Sequence, residues 1–251
     1  MEHVRMLSVD IGLRPAGSPG EERAAAYVES VFRAGGHDVV RQPVSRPDGG
    51  TSSNVIARAR GVDYGRGYLV VGGHYDTVPS SPGGNDNATG TAVVLALSEA
   101  LSGRRLAVEF IAFAAEERQP PTGEHHLGSA AYVAALATPG AVQAMVSIDM
   151  VGNGPVLSAG RLAGSPDGIQ NELVGASHQA GIPHRRIVKG DISDHGPFAR
   201  AGIPAAWLWS GPHPAYHSAA DTFEVVRPEV VGWAGRATMR WILDRTPPGR
   251  P

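Results

Sequence analysis

The chain has 251 residues, enough to bury one substantial core. Its residues are 42% hydrophobic and 18% charged, with a formal net charge of −2. That balance argues against a disordered chain and against the clustered basic surface that nucleic acid requires. Cysteine is absent, so disulfides, thiolate metal sites and cysteine nucleophiles are excluded. Any metal must be held by imidazole and carboxylate, donors that suit zinc and, less selectively, cobalt or manganese.

Ser18-Pro19-Gly20-Glu21 predicts a helix start, with Ser18 capping, Pro19 at the first helical position and Glu21 completing a capping box. Ala24, Val28, Val31 and Phe32 recur at helical spacing until Gly35-Gly36. Extended runs follow at Val39 to Val44 and Asn54 to Ala59, then a buried strand from Tyr68 that stops where His74 begins. A glycine-rich loop, Pro79 to Gly90, leads into a helix over Thr91 to Leu101. The strand Leu106 to Ala114 ends in Glu116-Glu117, and a helix over Ser129 to Leu136 precedes a strand within Val142 to Met150. Helix Ile169 to Ala180, strands Arg186 to Lys189 and Pro204 to Trp209, and helix Pro228 to Leu243 complete the series.

This alternation predicts an α/β fold: three α/β/α layers, with a central mixed, mostly parallel sheet covered by helices on both faces. Neither a repeat nor a linker-like tract breaks the sequence, so one domain over 1–251 is expected, with a frayed tail after about residue 244. Met1 to Asp10 lacks a basic segment followed by an apolar run, and no stretch reaches the roughly 18 apolar residues that span a bilayer. The expectation is a soluble cytoplasmic protein, or a secreted one if a leader lies outside this sequence.

His74, Glu116-Glu117 and Asp149 fall just past the ends of predicted strands, where open α/β sheets place their ligand crevice. Asp86 and His217 lie in turn-rich segments. Singly, each has an ordinary reading: a surface histidine, a solvated or capping glutamate, a turn aspartate. Asp149 stands out because it interrupts an apolar run, and a carboxylate there needs a partner such as a metal.

The wording around these residues is more specific than the residues themselves. His74 stands in Gly-His-Tyr-Asp, Asp86 in Asn-Asp-Asn-Ala-Thr-Gly, Glu117 in Ala-Glu-Glu, Asp149 in Ile-Asp-Met-Val-Gly and His217 in Tyr-His-Ser-Ala-Ala-Asp-Thr. In this order they resemble the M28 family of metallo-aminopeptidases, in particular its small bacterial type, over nearly the whole chain. The resemblance implies two zinc ions bridged by Asp86, one completed by His74 and Asp149 and the other by Glu117 and His217. It implies Glu116 as general base and Tyr216 as hydrogen-bond donor to the developing oxyanion. Asp76 would partner His74, Asp194 would position substrate or buttress a ligand, and the Asp86-Asn87 peptide would be cis. The implied substrates are peptides with a free N-terminus.

Charge arithmetic agrees with that assignment. Three carboxylates against two divalent cations leave one positive charge, which a bridging hydroxide nucleophile cancels, and zinc brings the pKa of water near 7. Glu116 would then take a proton from the attacking water and pass it to the leaving amine. The family pattern is broken in one place: ten residues, Arg118 to Leu127, separate Glu117 from Gly128-Ser129, where the family usually has fewer. The longer loop carries Pro120-Pro121 and His125-His126, and is read either as a lid on the pocket or as a surface insertion; the two histidines are weak candidates for further ligands. Trp207, Trp209, Trp233 and Trp241 are read as core or interface residues. Competing readings are a related zinc amidohydrolase, a glutaminyl cyclase, or an inactive scaffold; the last requires loss of a ligand or base, and all are present. No Gly-x-Ser-x-Gly elbow supports a serine hydrolase.

Overall fold

The computed structural model describes residues 1–246. Eight strands form one sheet in the order β1-β2-β4-β3-β5-β8-β6-β7: β1 (His37–Ser45), β2 (Thr51–Ala59), β3 (Tyr68–His74), β4 (Val108–Phe113), β5 (Val142–Ile148), β6 (Leu157–Leu162), β7 (His184–Lys189) and β8 (Ala205–Trp209). The central strands β4, β3, β5 and β8 are mutually parallel, while β1, β2 and β6 bring antiparallel pairings. The sheet is thus mixed, as the alternation of elements predicts.

Both faces are covered, unequally. One carries α1 (Glu2–Arg5), α2 (Pro19–Ala34), α3 (Ala88–Ala100), α5 (Gly168–Gln179) and α7 (Pro228–Arg245), packed on Leu69, Val71, Val146 and Leu208. The other carries only α4 (Leu127–Ala134) and α6 (His195–Arg200), whose Tyr132 and Phe198 pack on Val70, Phe113 and Met145. Alternate residues of β3 therefore serve two cores, and the strand carries no charged or strongly polar residue before His74 because neither face meets water.

The N-terminus of α2 departs from the expected capping box in one bond. Ser18 Oγ accepts from the Glu21 amide as predicted, but the Glu21 carboxylate accepts from Gly17 N–H, because the Ser18 amide is already given to Pro15 O. Three of these elements, α1, β6 and α6, escaped sequence reading. Strand β6 holds Ser158, Gly160 and Arg161, residues of weak strand preference, and its glycine is required by packing: a Cβ on Gly160 would lie 1.9 Å from the Trp207 ring. Helix α6 contains Gly196-Pro197 and is six residues long. The last helix runs to Arg245, past the predicted end at Leu243; 247–251, most of the expected frayed tail, lies outside the described residues. Among the described residues no helix is long and apolar enough to cross a membrane.

Candidate metal centre

His74 is the last residue of β3, Glu116-Glu117 follow β4, and Asp149 follows β5, so three adjacent parallel strands deliver them to one edge. Asp86 arrives on the turn that starts α3, held by a zipper of side chains. Asn87 Nδ2 donates to Ile148 O and its Oδ1 accepts from Met150 N–H, bracketing Asp149. Thr89 Oγ1 accepts from Val151 N–H and Asn85 Oδ1 from Gly152 N–H. The Asp86–Asn87 peptide is cis.

Two buried aspartates hold the ligand-bearing backbone from behind, each accepting two successive amides. Asp76 takes those of Glu116 and Glu117 at 3.1 and 3.2 Å, and Asp221 takes those of Asn85 and Asp86 at 2.8 and 3.0 Å. Asp76 Oδ1 also lies 3.5 Å from His74 Nδ1, whose hydrogen bond goes to the Asp76 backbone carbonyl at 3.2 Å. Asp221 was missed as a site residue, although it stands in the Ala-Ala-Asp-Thr wording after His217. Among the described residues, four non-glycine residues have positive φ: Ala115, His126, Met150 and His217. Each such residue costs about 1–3 kcal/mol, and all four are at, or next to, site residues.

The five expected ligands converge as two triads that share Asp86. Donor atoms of His74, Asp86 and Asp149 lie within 4.8 Å of one another, and so do those of Asp86, Glu117 and His217. His74 Nε2 is 3.3 Å from Asp86 Oδ1 and 3.6 Å from Asp149 Oδ1; His217 Nε2 is 3.2 Å from Asp86 Oδ2 and 3.1 Å from Glu117 Oε1. Asp86 thus turns one oxygen toward each triad.

The electrostatics ask for cations. Among the described residues no lysine or arginine pairs with any of these carboxylates, and Asp149 Oδ1 is buried without a hydrogen-bond partner. Burial and the charge of Asp86 push Glu117 up to about 8. Burial opposes charge on His217, but its contacts with Asp86 and Glu117 outweigh this and raise it to about 10. Protons collect where positive charge is lacking. A donor set of imidazole and carboxylate with an orphaned buried oxygen fits divalent metal.

Glu116 is 8% exposed and stands back from the triad imidazoles; its Oε2 is 3.9 Å from His74 Nε2. Despite burial, the charges of His74 and His126 hold its pKa low, keeping it a base. A cleft of about 330 Å³ opens over Asp86, Glu116, Glu117 and Asp149, with Ile192, Trp207 and Trp209 among its walls. Trp207 lines the cleft while buried in the core at 1% exposed, Trp209 lines the cleft, and Trp233 and Trp241 are core. Tyr216, 51% exposed, lines the same cleft and stacks on the His217 ring.

Asp194, expected to position substrate or buttress a ligand, has both oxygens buried without a hydrogen-bond partner at the head of α6. Burial, then the charge of Glu116, raises it to about 7. His125 and His126 join neither triad; His126 instead contacts Glu116.

Peptidase family M28 is the family whose model matches residues 54–242. Aminopeptidase YwaD of Bacillus subtilis is 33% identical over 200 residues, 74% of this chain and 43% of its own length. Leupeptin-inactivating enzyme 1 of Streptomyces exfoliatus is 32% identical over 210 residues, 80% of this chain and 45% of its own length. The chain thus spans less than half the length of these relatives. Among solved structures, BSAP, a zinc aminopeptidase from Bacillus subtilis, superposes with a TM-score of 0.88 at 19% identity, covering 100% of this chain and 95% of that one. Macrostomum lignano glutaminyl cyclase gives 0.81 at 20% identity, covering 98% and 90%. At such identities the likeness is one of fold.

Proposed function

The chain belongs to peptidase family M28, and from that premise we propose that it is a dinuclear zinc aminopeptidase releasing residues from the free N-termini of peptides. The observation that carries the reading is the pair of triads sharing Asp86, with an unligated glutamate beside them at the floor of one cleft. His74, Asp86 and Asp149 would hold one zinc, and Asp86, Glu117 and His217 the other, with cobalt or manganese as substitutes. When bound, the metals supply Lewis acidity toward the scissile carbonyl and make water reactive near neutral pH.

The chain's own residues supply the rest. Glu116, a base by its lowered pKa, takes the proton of the attacking water at its carboxylate and delivers it to the leaving amine. The Tyr216 hydroxyl, facing the cleft, donates to the carbonyl oxygen as charge develops there. Acidic Glu116 and Asp149 give the floor of the cleft the negative charge that a substrate ammonium requires. Its Met150, Ile192, Trp207 and Trp209 walls suit a bulky apolar side chain on the released residue.

A panel of aminoacyl-p-nitroanilides and their N-acetylated counterparts tests this reading. The free-amine leucine and phenylalanine substrates should be cleaved, activity should vanish on chelation and return with zinc, and the blocked substrates should resist. Equal cleavage of blocked substrates, or ring closure of an N-terminal glutamine without release of an amino acid, would contradict it.

A further inference from the structure

The ten-residue stretch that interrupts the family pattern folds back onto the site. Gln119 and Glu124 pair across it, and the amides of His126 and Leu127 donate to the carbonyls of Glu116 and Ala115 at 2.9 and 3.0 Å. The doubling back sets the His126 ring against the Glu116 side chain, Nε2 2.9 Å from Oε1, with His126 itself 2% exposed. His126 reaches this position with φ of 56°, a conformation an L-residue keeps only when its surroundings demand it.

The other side of the ring is also occupied. Nδ1 faces Asp191 Oδ1 at 3.2 Å, a charge contact rather than an aligned hydrogen bond, and Asp191 pairs in turn with Arg200 of α6. The Asp191 carboxylate lies over Gly196, where a Cβ would come within 1.5 Å of Oδ1, so the first turn of α6 is bare where this group sits. Arg200, Asp191, His126 and Glu116 form a row of alternating charge that approaches the base from outside the metal cluster. Burial disfavours a charged His126, but the Glu116 carboxylate opposes that and raises its pKa, so the 2.9 Å contact is one of opposite charges.

We propose that His126 is a positioning residue for Glu116: it holds Oε1, so that Oε2 stays turned toward the metal ligands, while Asp191 and Arg200 fix the ring. A glutamate has three side-chain torsions, and a general base acts only within hydrogen-bond reach of the proton it takes. Restricting those torsions from behind is a contribution of the longer loop that requires no contact with substrate. The inference rests on the reading of Glu116 as the base.

The test compares kcat and KM on leucine p-nitroanilide for the zinc-loaded wild type, His126→Ala, His126→Gln, Glu116→Gln and the His126→Ala/Glu116→Gln pair, with zinc content measured for each. His126→Ala should lower kcat about 10–100-fold, as loss of an outer partner typically does, at unchanged KM and zinc content. His126→Gln places an amide donor near the former Nε2 and should recover most of the loss. In the Glu116→Gln background, His126→Ala should change kcat by no more than about two-fold, because the pair acts as a unit. Should His126→Ala fail to fold, Asp191→Asn at the more exposed end of the row carries the test, with a smaller fall in kcat at unchanged KM. Wild-type kcat in His126→Ala (or, in that case, in Asp191→Asn), no recovery in His126→Gln, or losses that multiply in the double variant would overturn the inference alone. Wild-type turnover by Glu116→Gln would overturn the reading of Glu116, and this inference with it.

Discussion

Besides Asp86, the inner triad takes both of its residues, His74 and Asp149, from strand ends, whereas the outer one, Glu117 and His217, takes one from a loop. His74 is 1% exposed and Asp149 lies just past β5, both backed by the sheet and by the zipper from Asn85 to Thr89. The His217 side chain is 33% exposed, has positive φ, and stacks only on Tyr216 at the cleft wall. The difference assigns different work to the halves. The buried triad is fixed by the fold before any ion arrives, and the outer one faces the cleft, where substrate would be met. Asp86 alone belongs to both, and the Asp221 clamp on its own backbone amide and that of Asn85 reflects that.

The sharpest way to break this contrast is at the shared residue. Asp86→Asn should remove zinc from both triads and lower activity beyond the 10²–10⁴-fold that general acid–base help contributes; metal analysis beside the peptidase assay checks it. Next comes Glu116→Gln, which should lose about 10²–10⁴-fold in kcat while both metals stay, separating the base from the ligands.

The two histidines then test the halves against each other. In the metal-free protein, His74→Ala strands Asp86 and Asp149 without their buried partner and should cost about 3–5 kcal/mol of stability in denaturant unfolding. His217→Ala, at the open edge, should cost about 1 kcal/mol or less while still abolishing zinc binding in the outer triad. Equal costs would erase the distinction between a preformed inner triad and an adaptable outer one.

A buried carboxylate outside either triad offers a further test. Burial, then the charge of Asp76, raises Glu21 to about 7 from an ordinary 4.5. The folded state thus binds this proton more tightly than the unfolded chain, and stability is lost as pH rises from about 4.5 through about 7. Glu21→Gln should flatten that decline in a melting-temperature series over the same range. If the two curves stay parallel, burial alone does not perturb carboxylates here as the account requires.

The candidate ligands were legible because each sits in a short local wording at a strand end or turn, and such wording survives in a linear sequence. What holds them was not. Asp221 acts on amides 135 and 136 positions away, and Asn87 brackets Asp149 across 61 and 63 positions, relations no local pattern encodes. Strand β6 was missed for a similar reason, its glycine being dictated by Trp207 on a neighbouring strand. His126 was visible only as half of a histidine pair; the fold-back that brings it to Glu116 depends on where the loop returns.

Two triads that share one aspartate should each take a metal. Calorimetric titration of the metal-free protein with zinc measures this. Two ions per chain are expected, both lost in Asp86→Asn and only one lost in His217→Ala. A single ion in the wild type, or two retained in Asp86→Asn, would contradict it.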